Sequence, residues 1–301
     1  MVAKFEMRRP FVTLTCPSEK NLSDTQKALL DAIIKLLESE GLSILHDSPS
    51  GDFKGRARQV KRSHGCIVVA FAQWEASRLR GNQDRPYIFT TEYAHVTSAL
   101  ALEAGRPLFV LKDKQVNERG MLKGAYLGRL AEMPKFATSD WLRSDEFELR
   151  FKNWLKDVRK QKHVFLGYSS QARATANEIT RYLTEKLDLS VLDWHNFQPG
   201  KIVMNAIEEA ECLTACGIFL FMADDFLKGG KSLRGAPRDN VVYEAGYFAG
   251  AKSREHTIII REPDAKVPSD LAGVLYLELS DRNDISRIET KLGVYLNDLF
   301  E

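Results

Sequence analysis

The chain reads as an α/β protein of two domains, each built on a parallel sheet. Three observations point there: the 301-residue length, short continuous apolar runs alternating with helical periodicity, and a spacing pattern that recurs in the second half. A chain of this length suits two cores better than one. Hydrophobic content of 44% and charged content of 28% let each half bury an ordinary core.

The first half begins with a strand at Pro10–Cys16. A helix follows over Ser23–Glu40, with Leu29, Leu30, Ile33, Ile34, Leu36 and Leu37 on its apolar side, Ser23 as N-cap and Gly41 as C-cap. Leu42–His46, Cys66–Phe71 and Pro107–Leu111 are strands of the kind covered on both faces. Gly51–Arg58 reads as a mobile basic loop, and Trp141–Lys160 as an amphipathic helix. The charged stretch Lys156–Lys162 reads as the linker between domains 1–160 and 161–301.

The second half repeats the plan. It has a strand at His163–Tyr168, a helix at Ala172–Leu187, a strand at Leu189–Asp193 and a helix near Ile202–Leu213. A strand at Gly217–Met222, a helix from Asn240 and a strand at Thr257–Ile260 follow. Leu42 and Leu189, Ile67 and Ile218, Glu92 and Glu244, and Leu108 and Ile258 are each about 150 positions apart, as expected of a tandem duplication.

Charge excludes some functions. The 43 basic and 41 acidic residues leave a net charge of +2, which gives no electrostatic basis for nucleic-acid or membrane-surface binding. No apolar run approaches the length of a membrane span, and residues 1–10 lack the apolar core of a secretion signal, so a cytoplasmic protein is expected. Cys16, Cys66, Cys212 and Cys216 read as reduced, small apolar residues. The six histidines show no metal-ligand spacing, and no metal is expected.

The candidate chemistry sits in Arg238–Tyr247, Arg-Asp-Asn-Val-Val-Tyr-Glu-Ala-Gly-Tyr. Pro237 and Asp239 or Asn240 signal a helix start. Glu244 then falls in or just after the first turn, the one charged residue between Val241 and Gly250, in a helix expected to be largely buried. Asn240, four residues earlier, shares its face. In open parallel sheets, ligands bind beyond the carboxyl ends of the strands, where such helices begin. A carboxylate there can hold ribose hydroxyls, or stabilise the oxocarbenium-like centre formed as a base leaves.

The motifs His163–Ser170, Leu192–Ile202, Gly217–Met222 and Arg238–Gly250 resemble those of bacterial TIR and TIR-like nucleotide-binding domains. The resemblance implies a flavodoxin-like fold and cleavage or cyclisation of NAD. NAD would be the substrate and no cofactor would be required. Glu244 would be the catalytic glutamate. Tyr168, Ser169, Ser170, Trp194, Phe197, Asn240 and Tyr247 would contact substrate, and the loop Trp194–Gly200, with His195, would cover it or join copies. Such domains serve antiviral immune signalling and are switched on by assembly, so a homo-oligomer is implied. Two departures stand out: Gly167, where many relatives have Ser, and a longer, more basic loop over Asp224–Gly235.

Thr90–Val110 resembles the Glu-bearing helix and next strand of nucleoside deoxyribosyltransferase-like domains, which makes Glu92 a second candidate site. No companion acidic pair accompanies it, so this half reads as a sensor for a nucleotide-like ligand or an assembly domain. Arg78, Arg80 and Arg85 precede Glu92 and read as a solvated loop. The alternatives to an NAD-cleaving enzyme are a binding module without turnover and a nucleoside transferase or hydrolase in the first half.

Overall fold

The computed structural model describes residues 9–46, 52–77, 86–124, 129–193, 203–229, 232–266, 268–271 and 273–300. These form two compact units, Arg9–Lys160 and the residues from Gln161 onward.

The first unit contains β1 (Phe11–Thr15), α1 (Asp24–Ser39), β2 (Ser43–His46), α2 (Phe53–Arg62), β3 (Gly65–Ala70), β4 (Trp74–Ala76) and β5 (Tyr87–Phe89). It continues with α3 (Glu92–Glu103), β6 (Leu108–Asp113), β7 (Leu130–Met133) and α4 (Asp145–Lys160). Five of these strands form a sheet in the order β2-β1-β3-β6-β7, parallel throughout. Strand alternation divides the core. Val12, Leu14, Ile67, Val69, Phe109 and Leu111 face α1 and α4. Cys66, Val68, Ala70 and Val110 face α2 and α3. Both sheet faces are covered, which is why these strands read as continuous apolar runs. Ser23 caps α1 through a reciprocal capping box with Gln26, and Gly41 follows the helix at φ +76°, a conformation glycine adopts without strain.

The second unit contains β8 (Lys162–Gly167), α5 (Arg173–Glu185), β9 (Val191–Asp193), α6 (Val203–Leu213), β10 (Thr214–Phe221), β11 (Asp225–Gly229) and β12 (Ser232–Ala236). It ends with α7 (Asp239–Ala251), β13 (Thr257–Arg261), β14 (Leu275–Glu278) and α8 (Ser286–Phe300). Its sheet has the order β14-β13-β10-β8-β9, again parallel, so both units carry the same strand order as flavodoxin-like folds. On one face Phe165, Phe219, Phe221 and Ile259 pack against Ile207 and Ala210 of α6 and Val241, Ala245 and Phe248 of α7. α5 and α8 are tied together by the Tyr182 hydroxyl, which donates to the Glu289 carbonyl at 2.6 Å.

Several expectations require correction. The basic segment after β2 is not a mobile loop: its described part is α2, capped by Asp52, whose carboxylate accepts from the Lys54 and Gly55 amides at 3.1 and 3.0 Å. The charged stretch after Lys156 is not a linker, because α4 runs to Lys160 and β8 starts at Lys162. Trp141 lies in a short 3-10 turn over Ser139–Arg143, and α4 begins only at Asp145. The long loop before α7 holds the antiparallel hairpin β11–β12. Burial pushes the Cys16 thiol to about 11, assisted by Glu19, and those of Cys66 and Cys216 to about 12, which keeps all three protonated. Among the described residues no helix is long and apolar enough to cross a membrane.

Candidate functional site

Helix α7 buries a stripe of Val241, Ala245 and Phe248, spaced as one helical face requires. Phe248 stacks on Phe165 of β8, with centroids 5.1 Å apart, and meets Phe219 of β10 edge-on at 5.2 Å. Glu244 stands three residues after Val241 and four before Phe248, on the margin of that stripe. The packing therefore brings its carboxylate to the carboxyl end of β8. A Cβ placed on Gly167 would lie 2.8 Å from Glu244 Oε2 and 2.6 Å from Phe219 Cδ1. Gly167, the departure noted in the sequence, is thus the residue whose missing side chain admits the carboxylate.

Glu244 is half-buried, and among the described residues it has no hydrogen-bond or ion-pair partner. Burial with no compensating cation raises its pKa to about 7. It lies in the second turn of α7, and only one face of that helix is covered, since Tyr243 is exposed. The expectation of a largely buried helix is corrected accordingly: the glycines and the tyrosine face outward.

The other predicted residues occupy different positions. Tyr168 is a buried wall residue. Its hydroxyl donates to both carboxylate oxygens of Asp193, at 3.0 and 2.9 Å, and burial together with that carboxylate raises its pKa, so it stays protonated. Ser169 is also buried, and its hydroxyl donates to Asp224. Ser170 and Asn240 are exposed. Tyr247 is half-buried, and its pKa is raised by burial and then by Glu208 and Glu211 of α6, so it faces that helix. Trp194, Phe197, His195 and the rest of their loop lie outside the described residues, as do Arg78, Arg80 and Arg85. Glu92 is the first residue of α3 and is exposed, whereas Glu244 is the sixth of α7, so the two do not hold equivalent positions along their helices.

A charge network borders the same sheet edge. Arg282 grips Glu262 bidentately, Nε to Oε1 at 2.5 Å and Nη2 to Oε2 at 2.7 Å, and reaches Asp224 with Nη1 at 3.0 Å. Glu262 also accepts from the Ala223 amide at 2.7 Å, and Arg282 holds its carboxyl below the usual range. With its amide oriented to satisfy both neighbours, Gln171 donates to Asp224 and accepts from Arg238, each at 3.3 Å. The loops after β8, β10, β13 and β14 are pinned together. Sequence reasoning missed Asp224, Glu262 and Arg282. The available signal was their place directly after apolar strand runs.

Gly167→Ala is expected to displace Phe219 and the Glu244 carboxylate. A destabilisation of roughly 1–3 kcal/mol by thermal or denaturant unfolding would accompany that overpacking. Unchanged stability would show that the two groups yield freely.

Residues 163–281 match the family model described as "CAP12/Pycsar effector protein, TIR domain". The chain is 34% identical over 116 residues to "CD-NTase-associated protein 12" of Sphingobacterium faecium, covering 38% of this chain and 35% of that protein. It is 47% identical over 135 residues to "Uncharacterized protein YuaY" of Escherichia coli (strain K12), with 44% of each chain covered. To "Pycsar effector protein PaPycTIR" of Pseudomonas aeruginosa it is 30% identical over 123 residues, 39% of each. The aligned stretches thus span less than half of these relatives' own lengths. Over residues 163–281 the chain is therefore similar to the TIR domain of CAP12/Pycsar effector proteins.

Proposed function

We propose that the second unit cleaves the nicotinamide–ribose bond of NAD, with Glu244 as the catalytic carboxylate and NAD as substrate rather than cofactor. The observation that carries this reading is the Glu244 carboxylate, half-buried at the carboxyl edge of a parallel sheet and without a counter-charge among the described residues. Nicotinamide in NAD is cationic. When the C1′–N1 bond breaks, its electron pair returns to the ring nitrogen and the base leaves neutral, so no general acid is required. Positive charge then develops on the ribose, where an ionised Glu244 stabilises it. Water adding at C1′ with loss of a proton gives ADP-ribose, and attack by a group of the same molecule gives a cyclic product.

The cationic substrate also resolves the raised pKa of Glu244. A positive charge beside a desolvated carboxylate favours the ionised form. kcat/KM, which reports the free protein, should rise with pH through a midpoint near 7, and kcat should rise through a lower one. Initial rates across pH check this; coincident profiles would remove the substrate-induced ionisation.

The first unit is read as the sensing or assembling half, which turns the enzyme on through a nucleotide-like ligand and self-association. The whole then acts as an effector in antiviral defence. The names of the relatives support this setting. The test is release of nicotinamide from NAD by purified protein, with Glu244→Ala as control and candidate nucleotides as activators.

A further inference from the structure

The sheet of the first unit ends on β7, which pairs with β6 alone. The Arg129 carbonyl accepts from the Val110 amide at 3.1 Å, and the Met133 carbonyl from the Lys114 amide at 2.9 Å. In a parallel ladder alternate residues bond the same neighbour, so Leu130 and Glu132 direct their amides and carbonyls away from the sheet. An edge of this kind is a template for a further strand unless something covers it. Here the cover is slight. Among the described residues the one partner is Glu146 of α4, whose Oε1 accepts from the Glu132 amide at 3.5 Å. That is a long bond from an exposed side chain, and its carboxylate oxygen stands where the carbonyl of an added strand would stand.

Helix α4 makes that edge into a groove. Asp157, about three turns after Glu146, pairs with Arg129 just before β7, so the helix runs antiparallel beside the strand. The groove has a volume of about 430 Å³ and carries four cations, Arg129, Arg150, Lys156 and Lys160, against two carboxylates, Glu146 and Asp157. Asp157 serves both Arg129 and Lys160, the latter at 3.2 Å. Arg150 and Lys156 have no ion-pair partner among the described residues. Leu149, 66% exposed, adds an apolar foothold. The charge calls for an acidic occupant, and the bare edge for an extended backbone. A second copy paired edge to edge would set these cations against themselves. A nucleic acid would find no aromatic side chain among the lining residues on which to stack its bases.

We propose that β7 and the basic groove beside it are a docking site for an extended acidic peptide segment of a partner protein. The segment adds to the five-stranded sheet beside β7 and displaces the Glu146 carboxylate from the Glu132 amide. Its acidic side chains lie against Arg150 and Lys156. The site belongs to the first unit alone, and its test does not involve NAD cleavage.

Fluorescence anisotropy on the full chain tests it, with a labelled peptide of Val-Glu repeats, eight residues long, as the probe. Alternation puts all its carboxylates on one face of the strand. The Val-Lys counterpart, the fully N-methylated peptide and an oligothymidylate of the same length are the comparison arms. The Val-Glu peptide should bind saturably, roughly tenfold or more tighter than each of the three. Arg150→Gln combined with Lys156→Gln should weaken it roughly fivefold or more. Glu146→Ala, which frees the Glu132 amide and removes a repelling charge, should tighten it. None of these side chains belongs to the buried core, so the variants should melt close to the parent protein. Binding should also slow hydrogen exchange at the Leu130 and Glu132 amides. Absence of saturable binding, equal binding of the oligothymidylate or the N-methylated peptide, or indifference to the Arg150, Lys156 and Glu146 substitutions would overturn the proposal. Self-association that the peptide competes away would also overturn it, by placing a second copy on this edge.

Discussion

Glu244→Gln is expected to abolish nicotinamide release while making the protein more stable at neutral and alkaline pH. The two effects have one cause. The carboxylate lies against Gly167, beside the packed rings of Phe165, Phe219 and Phe248, and among the described residues no cation compensates its charge. Its pKa rises from an ordinary 4.5 to about 7. A folded-state pKa above the unfolded one means the native state binds more protons between those values. Stability therefore falls as pH rises through that window, and the penalty is complete above about pH 7. Gln keeps the shape and removes the charge. Allowing for the half-exposed side chain, the gain should be roughly 1–3 kcal/mol above pH 7 and should vanish below about pH 4. Removal of a charge that acts on the developing cation should lower the cleavage rate by roughly a hundredfold to a thousandfold or more. Thermal melts of both proteins between pH 4 and pH 9 check the first effect. Parallel curves would show that Glu244 pays no burial penalty.

Arg282→Met should act in the opposite sense and only on stability at first. The Asp224 side chain is 1% exposed and that of Glu262 is 18% exposed, and Arg282 is the cation that serves both. Its loss leaves two acidic groups facing each other at a covered sheet edge. Breaking a buried charge pair by removing one partner costs about 3–5 kcal/mol, and the partial exposure of Arg282 brings the expectation to about 2–4 kcal/mol. Glu262 is held below its ordinary 4.5, so its contribution is present above that value and is lost as pH falls through the lowered one. The gap between parent and variant should therefore be widest at neutral pH and shrink in acid. Denaturant unfolding at neutral and acid pH measures it. A gap independent of pH would mean that Arg282 acts through packing alone.

The fold class was legible because both sheets are parallel and covered on two faces, which forces continuous apolar strands such as Cys66–Phe71 and Gly217–Met222. The capped helix Ser23–Glu40 was legible for the same reason that it folds, its cap and stripe being local. The hairpin β4–β5 was not: its strands are three residues each, Trp-Glu-Ala and Tyr-Ile-Phe, too short to carry a readable alternation. α2 was hidden because its cap, Asp52, precedes a glycine and a run of basic residues that resemble a loop. Glu244 could be singled out from its apolar helix. Its meeting with Gly167 could not, because that contact joins two elements far apart in the chain through the packing of Phe248. The Asp224–Arg282–Glu262 network is of the same non-local kind.

The central claim is that the Glu244 carboxylate performs NAD cleavage. Nicotinamide release by the full chain, followed with and without nucleotide activators and across protein concentrations that favour assembly, tests it most directly. The account predicts release by the parent protein and none above background from Glu244→Gln, although that variant is folded and more stable. Equal release from the two proteins under those conditions, whether substantial or absent, would contradict it.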